Sequence, residues 1–300
     1  MEELVAKFLE KRAISKEIEL NQPLSDSIYF LELSDEFVGK SCHDNLDRLS
    51  EIVPWSSMHD MYNRNYEYCC GILGCFLIGQ FASAEALCRT AIEGSVNLHY
   101  VSLGDSMKKQ IAYFKAHIEN ERTQNKLWRE SVQKSDYPKS AKEEHYKRIE
   151  DKDKSLDGYE EALRASLALA GVSYVSHTGK WPSIFDRFRE IGNEVGYRTV
   201  YTALCSQAHN DAEDVLNRIM SRVVDGIEGL AEAQLVEQYH FSLYLILTAL
   251  DYHIFASAMY LAKFEIKVEE LVKLKFKVQE AAVEVMENGQ RVAKTKIRKV

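Results

Sequence analysis

A chain of 300 residues, 46% hydrophobic and 28% charged with only four prolines, has ordinary globular composition and enough length to bury a sizeable core. A formal charge of −8 argues against a general nucleic-acid coat, while leaving room for a local basic groove. Few prolines, no hairpin dipeptides and long stretches of period near 3.6 argue against a β-rich fold and predict an all-α chain.

The six cysteines are Cys42, Cys69, Cys70, Cys75, Cys88 and Cys205. Neighbours on one helix cannot easily bridge each other. The opening MEELVAKFLEKR is charged and amphipathic rather than a secretory leader, so reduced thiols and a cytoplasmic location are expected. No CxxC pair supports a zinc ribbon or a thioredoxin-like site.

In chain order, residues 2–20 read as one amphipathic helix with Leu4, Val5, Phe8, Leu9 and Ile18 on its apolar side, closed by Pro23. A second helix is predicted to start with Ser25 or Asp26 as its cap, run towards Ile52 and end at Pro54. Trp55 to Asp60 then leads into a central apolar helix carrying Tyr66 to Leu103, which Gly104 ends. Inside it Arg89 and Glu93 stand four apart, with Glu85 one turn earlier and Asn97 one turn later, so all four share a helical stripe.

Residues 105–171 are dominated by charge, with thin apolar spacing at Ile111, Phe114, Ile118 and Leu127 and again at Tyr146, Ile149, Leu156, Tyr159 and Leu163. With Tyr137-Pro138 as the turn, they predict a long antiparallel hairpin inserted in a multi-helix bundle. Its charged surface is either a solvated face or an arm for self-association or a protein partner. A loop from Gly171 to Trp181 follows, then a short helix from Pro182 to Ile191 and a turn from Gly192 to Gly196. The next helix begins near Tyr197, another covers Ala231–Lys263, and the last covers Val268–Met286, ended by Asn288-Gly289. The expected organisation is one helical domain over 1–300: a core of 1–104 and 172–288, the hairpin 105–171, and a frayed basic tail 289–300.

Two uncharged or nearly uncharged runs, Tyr68–Ala84 and Phe241–Ala262, approach membrane-spanning length. The first continues into Glu85, Arg89 and Glu93, and the second contains Asp251. Such groups are costly in lipid, so both are expected to be core helices and no membrane span is predicted.

Two stretches, RTAIEGSVNLHYV and WPSIFDRFREIGNEVGYRTVYTALCSQAHND, resemble the bacterial helical proteins called domain of unknown function 5677. Those proteins carry an Arg-x3-Glu helix, then a tryptophan-led helix, then a Tyr-rich helix ending in Ser-x-x-His. The matching positions here are Arg89 and Glu93, Trp181, and Tyr197, Tyr201, Ser206 and His209. The resemblance covers roughly Tyr66 to Asn217. It implies a helical bundle, supplies no reaction, and suggests a place in a bacterial stress or antiviral defence system.

Two readings of Arg89 stay open: a buried ion pair with Glu93 that fixes helix register, or a planar fork offered to phosphate or carboxylate. Asp251 is a further expected partner for Arg89. His209 shares a helical face with Cys205 and Glu213, and is either a hydrogen-bonded interface histidine beside Tyr201 or Ser206 or an acid–base group. A di-iron bundle needs two Glu-x-x-His motifs, and only Glu237 to His240 has that spacing. His-Glu-x-x-His, the phosphate-loop motif and the nucleophile elbow are absent, so no metal and no cofactor are expected. The first functional expectation is a ligand- or partner-binding module in which Glu85, Arg89, Glu93, Asn97, Tyr201, Ser206 and His209 take a small anion. The alternative is a metal-independent ribonuclease or toxin of the HEPN type, with Arg89 and His209 catalytic and RNA or a nucleotide as partner. Those enzymes place a histidine four to six residues after an arginine. None of the nine histidines here does so, so the pair would have to assemble from separate helices.

Overall fold

The computed structural model describes residues 2–12, 14, 20–174, 179–207, 216, 219 and 230–296, and every regular element among them is helical. The helices are α1 (Glu2–Lys11), α2 (Gln22–Asp44), α3 (Leu46–Ser50), α4 (Val53–Leu77), α5 (Phe81–Ser102), α6 (Ser106–Lys134), α7 (Lys139–Leu169) and α8 (Ile184–Glu190). After them come α9 (Glu194–Gly196), a π-helical segment (Tyr197–Tyr201), α10 (Thr202–Gln207), α11 (Leu230–Lys263) and α12 (Glu269–Lys296). The chain forms two compact units, Met1–Leu103 with Ile184–Val300, and Gly104–Ser183.

Several helix ends differ from the sequence expectation, each for a local reason. α1 stops at Lys11, where Ile14 N–H donates back to Leu9 O at 3.0 Å and closes the end with a six-residue loop. α2 is capped by Asn21 rather than by Ser25 or Asp26: the Asn21 side chain accepts from Leu24 N–H at 3.0 Å. Pro23 and Pro54 open α2 and α4 instead of closing their predecessors, because a first-turn proline lacks only an N–H that would be unpaired anyway. The expected central helix is two helices. Gly79 takes φ +77°, and Gln80 N–H donates to Cys75 O at 2.8 Å, a closure that stops α4 and lets α5 fold back on it. At the other end, α12 runs through Asn288-Gly289 to Lys296, because Val285, Gly289 and Ala293 continue its buried stripe.

The core of the larger unit centres on α11, which packs on α12 and α5 and also meets α2 and α4. Leu243, Leu247, Leu250, Ile254 and Leu261 of α11 are buried, as are Cys88, Ile92 and Val96 of α5, Ile72 and Leu73 of α4 and Leu274 and Val278 of α12. At roughly 1.5–3 kcal/mol for each large apolar side chain removed from water, this layer dominates the unit's stability. Residues Glu232–Lys263 are long and apolar enough to cross a membrane by length and composition, and 67% of their most apolar 18-residue window is buried within the protein. The cysteines described are all free thiols. Burial pushes the Cys69 and Cys88 thiols well above the ordinary range.

A polar knot ties the end of α1 to α2 and α4. Glu32 is 1% exposed and accepts from Tyr66 Oη at 2.9 Å, with Lys11 Nζ at 3.5 Å and Arg12 Nη1 at 3.7 Å. A buried carboxylate with no partners would be expensive; three partners, from α4, α1 and the residue just past α1, make it tolerable.

In the smaller unit α6 and α7 run antiparallel. Asp105 caps α6 by accepting from Lys108 N–H at 2.9 Å, and Arg122 bridges to Asp157 at 2.7 Å and Glu160 at 2.8 Å. The seam buries Ile111, Ile118, Val132, Ile149, Leu156 and Leu167. Leu127 and Tyr159, expected there, are exposed. Asn125 takes the seam position instead and donates to Asp153 Oδ1 at 2.6 Å, which turns the neighbouring face of α6 outward.

Candidate functional site

The stripe on α5 does not act as one unit; Glu85, Arg89 and Glu93 each find a partner far away in sequence. Glu85 is buried and accepts from Ser242 Oγ of α11 at 2.5 Å. Arg89, one turn on, faces α10 and the π segment. Its Nε donates to Cys205 Sγ at 3.2 Å, and its guanidinium carbon lies 5.6 Å from the centroid of the Tyr201 ring, within cation–π range. Glu93 accepts from Tyr201 Oη at 2.8 Å and has Arg187 Nη2 of α8 at 3.9 Å. Asn97 is half-buried, and its Oδ1 has no hydrogen-bond partner among the described residues.

The Arg89–Glu93 ion pair, one of the two readings of Arg89, is therefore not formed. Arg89 has no carboxylate within 4.0 Å among the described residues, whereas Glu93 is engaged by a tyrosine and a different arginine. The geometry has a simple cause. Arg89 and Glu93 point to one side of α5, but α8 and the Tyr197–Tyr201 segment pack over that side and present Arg187 and Tyr201 to the shorter carboxylate. Burial and the hydrogen bond to Glu93 both push the Tyr201 phenol above its ordinary range, so it stays a donor.

Tyr201 is fixed by aromatic neighbours. Its ring stacks on Tyr197 at 5.6 Å and tilts against Phe188 at 5.5 Å. The wider π turn, in which Thr202 Oγ1 donates to Tyr197 O at 2.7 Å, sits at the centre of this packing. Single π turns are frequently found at functional sites.

Of the residues singled out from sequence, Arg89, Glu93 and Tyr201 come together and Glu85 turns away to α11. His209 and the Ser206 side chain lie outside the described residues. Asp251, expected to reach Arg89, instead has Lys275 Nζ at 3.5 Å and Gln279 Nε2 at 3.4 Å. Among the described residues no group of three or more His, Cys, Asp or Glu side chains is arranged to hold a metal.

Sequence reading missed Arg187, which looked like one of several charges on a short surface helix. It also missed a buried polar triad behind the site. Asn65 Nδ2 of α4 donates to Ser95 Oγ of α5 at 2.7 Å and lies 3.0 Å from His253 Nδ1 of α11. Asp251 and His253 stand two residues apart on α11 and so point in different directions, and only one of them faces fully inward. That one is His253, fully buried with its ring 5.4 Å from Tyr62.

Compared with known proteins, the model of a family of unknown function (DUF5677) matches residues 58–227, more than half of the chain and all of Arg89, Glu93, Arg187, Tyr201 and Cys205. No curated protein and no solved structure matches.

Proposed function

The chain belongs to the family of unknown function DUF5677, and from the geometry of its site we propose that it is a helical module binding a small phosphate-like anion at Arg89. The observation that carries this reading is that Arg89 has no carboxylate partner among the described residues. Cys205 and the Tyr201 ring hold the guanidinium without neutralising it, and no carboxylate among the described residues is in reach. Arg187 adds a second guanidinium next to Glu93. A planar arginine fork suits the oxygens of phosphate or carboxylate, and the charge-assisted bonds it makes are about twice as strong as neutral ones.

The test is calorimetric titration of the full chain with pyrophosphate and with nucleoside monophosphates. Wild-type protein is expected to bind, and Arg89→Ala is expected to weaken binding roughly tenfold or more, with an unchanged melting curve. Binding that survives Arg89→Ala refutes the assignment.

A second reading, metal-independent cleavage of RNA by Arg89 and His209, draws on the Arg89–Cys205 contact, since His209 follows Cys205 by four residues. It requires RNA cleavage by the wild-type chain in the presence of a chelator and its loss in His209→Ala at unchanged thermal stability. Anion binding without cleavage leaves the binding module as the function.

A further inference from the structure

A separate cavity of about 210 Å³ opens between α5, the turn after α8, α11 and α12. Ser95, Asn193, Asp251, Tyr252, Lys275 and Gln279 give it its polar lining. Ser95 is six residues beyond Arg89 on α5, about 9 Å along the helix axis. None of Arg89, Glu93, Arg187, Tyr201 and Cys205 lines the cavity, so it is not part of the anion site.

Two features define what it can hold. The first is size. About 210 Å³ lies below the roughly 300–1,000 Å³ of cofactor-sized pockets, a size that suits a ligand smaller than a nucleotide. The second is an ion pair of loose geometry. Lys275 Nζ is 3.5 Å from Asp251 Oδ1, and Gln279 Nε2 is 3.4 Å from Oδ2. Both exceed the roughly 2.7–2.9 Å of a well-made charge-assisted bond. A lone anion entering there meets Asp251, and a lone cation meets Lys275. A molecule carrying both charges can satisfy each wall at once. Around the pair, Asn193 Nδ2 donates to Tyr252 Oη at 2.8 Å and fixes both groups. Phe255 supplies an apolar face, over which Lys275 Nζ sits 5.2 Å from the ring centroid.

We propose that this cavity is a binding site for a small zwitterion of free amino-acid size, its ammonium on Asp251 and its carboxylate on Lys275. The experiment is a thermal-shift and calorimetric screen of the full chain against free L-α-amino acids, each beside its N-acetyl derivative, which lacks the ammonium, and its amide, which lacks the carboxylate. At least one free amino acid is expected to bind, and both of its derivatives are expected to bind about tenfold or more weakly. Asp251→Asn and Lys275→Met should each produce a similar loss, while Lys275→Arg should keep most of the affinity. The proposal is overturned if no free amino acid binds, if the derivatives bind as well as the parent, or if the two variants fold and bind like wild type. The derivative series decides the matter even where a variant fails to fold. Pyrophosphate binding at Arg89 is read independently, so either site can fail alone.

Discussion

Gly94→Ala is expected to destabilise the protein by about 2 kcal/mol, against the normal trend for a helical glycine. In an open helical position alanine gains up to about 1 kcal/mol over glycine. At Gly94 an added Cβ would collide with Asn65 Oδ1 and stand 3.2 Å from Asn65 Cγ. The Asn65 amide has little freedom to retreat, since its nitrogen is held by Ser95 and His253 in the core. Overpacking costs about 1–3 kcal/mol, and breaking the triad's bonds leaves buried polar groups worth about 1–3 kcal/mol each when unpaired. These terms outweigh the propensity gain. Urea unfolding at constant m-value measures the difference, with Gly39→Ala as the control. Gly39 is an exposed position in α2 where an added Cβ meets nothing within 4 Å, so that substitution should stabilise slightly. A stabilising Gly94→Ala would show that Asn65 does not occupy this place.

The second large effect is an acid-side loss of stability from His253. Its ring is 0% exposed, and burial alone pushes its pKa down to about 4. Nδ1 faces the Asn65 amide nitrogen, and Nε2 has no partner among the described residues. The folded state thus holds its proton more weakly than the unfolded chain, whose histidine titrates near 6.5. Stability conferred by neutral His253 is complete above about pH 6.5, falls as the pH drops, and levels off below about 4. A shift of this size corresponds to about 3 kcal/mol. Asp35 and Asp251 act in the opposite direction, because burial raises both carboxyls above their ordinary range. The informative quantity is therefore the difference between wild type and His253→Gln. Between pH 7 and 4 the wild type should lose about 3 kcal/mol more than the variant. Parallel pH profiles would contradict the burial of a neutral histidine there.

How much of this was legible in the sequence depended on the range of the interaction. Helical periodicity announced an all-α chain, and the four-residue spacing of Glu85, Arg89, Glu93 and Asn97 marked one face of α5. Both are local properties of a helix. The break at Gly79 was hidden because apolar residues run on both sides of it and no proline marks it. The partners were hidden for a different reason. Glu85 meets Ser242, 157 positions away, and Arg89 meets Cys205, 116 positions away; no spacing rule connects such pairs. Of the two readings left open for Arg89, the ion pair with Glu93 is not the one formed, because Arg187 and Tyr201 arrive over α5 and take the carboxylate. That outcome is informative, since it leaves Arg89 without a carboxylate partner among the described residues.

The most direct measurement is a crystal structure of the full chain soaked with tungstate, a heavy phosphate mimic located by its anomalous scattering. An oxygen of the anion within about 3.2 Å of the Arg89 guanidinium, with Glu93 still bonded to Tyr201, is the predicted result. Anomalous density confined to other surfaces, such as Arg122 and Lys126 of the α6–α7 unit, or Arg89 found closed on a carboxylate, would contradict it.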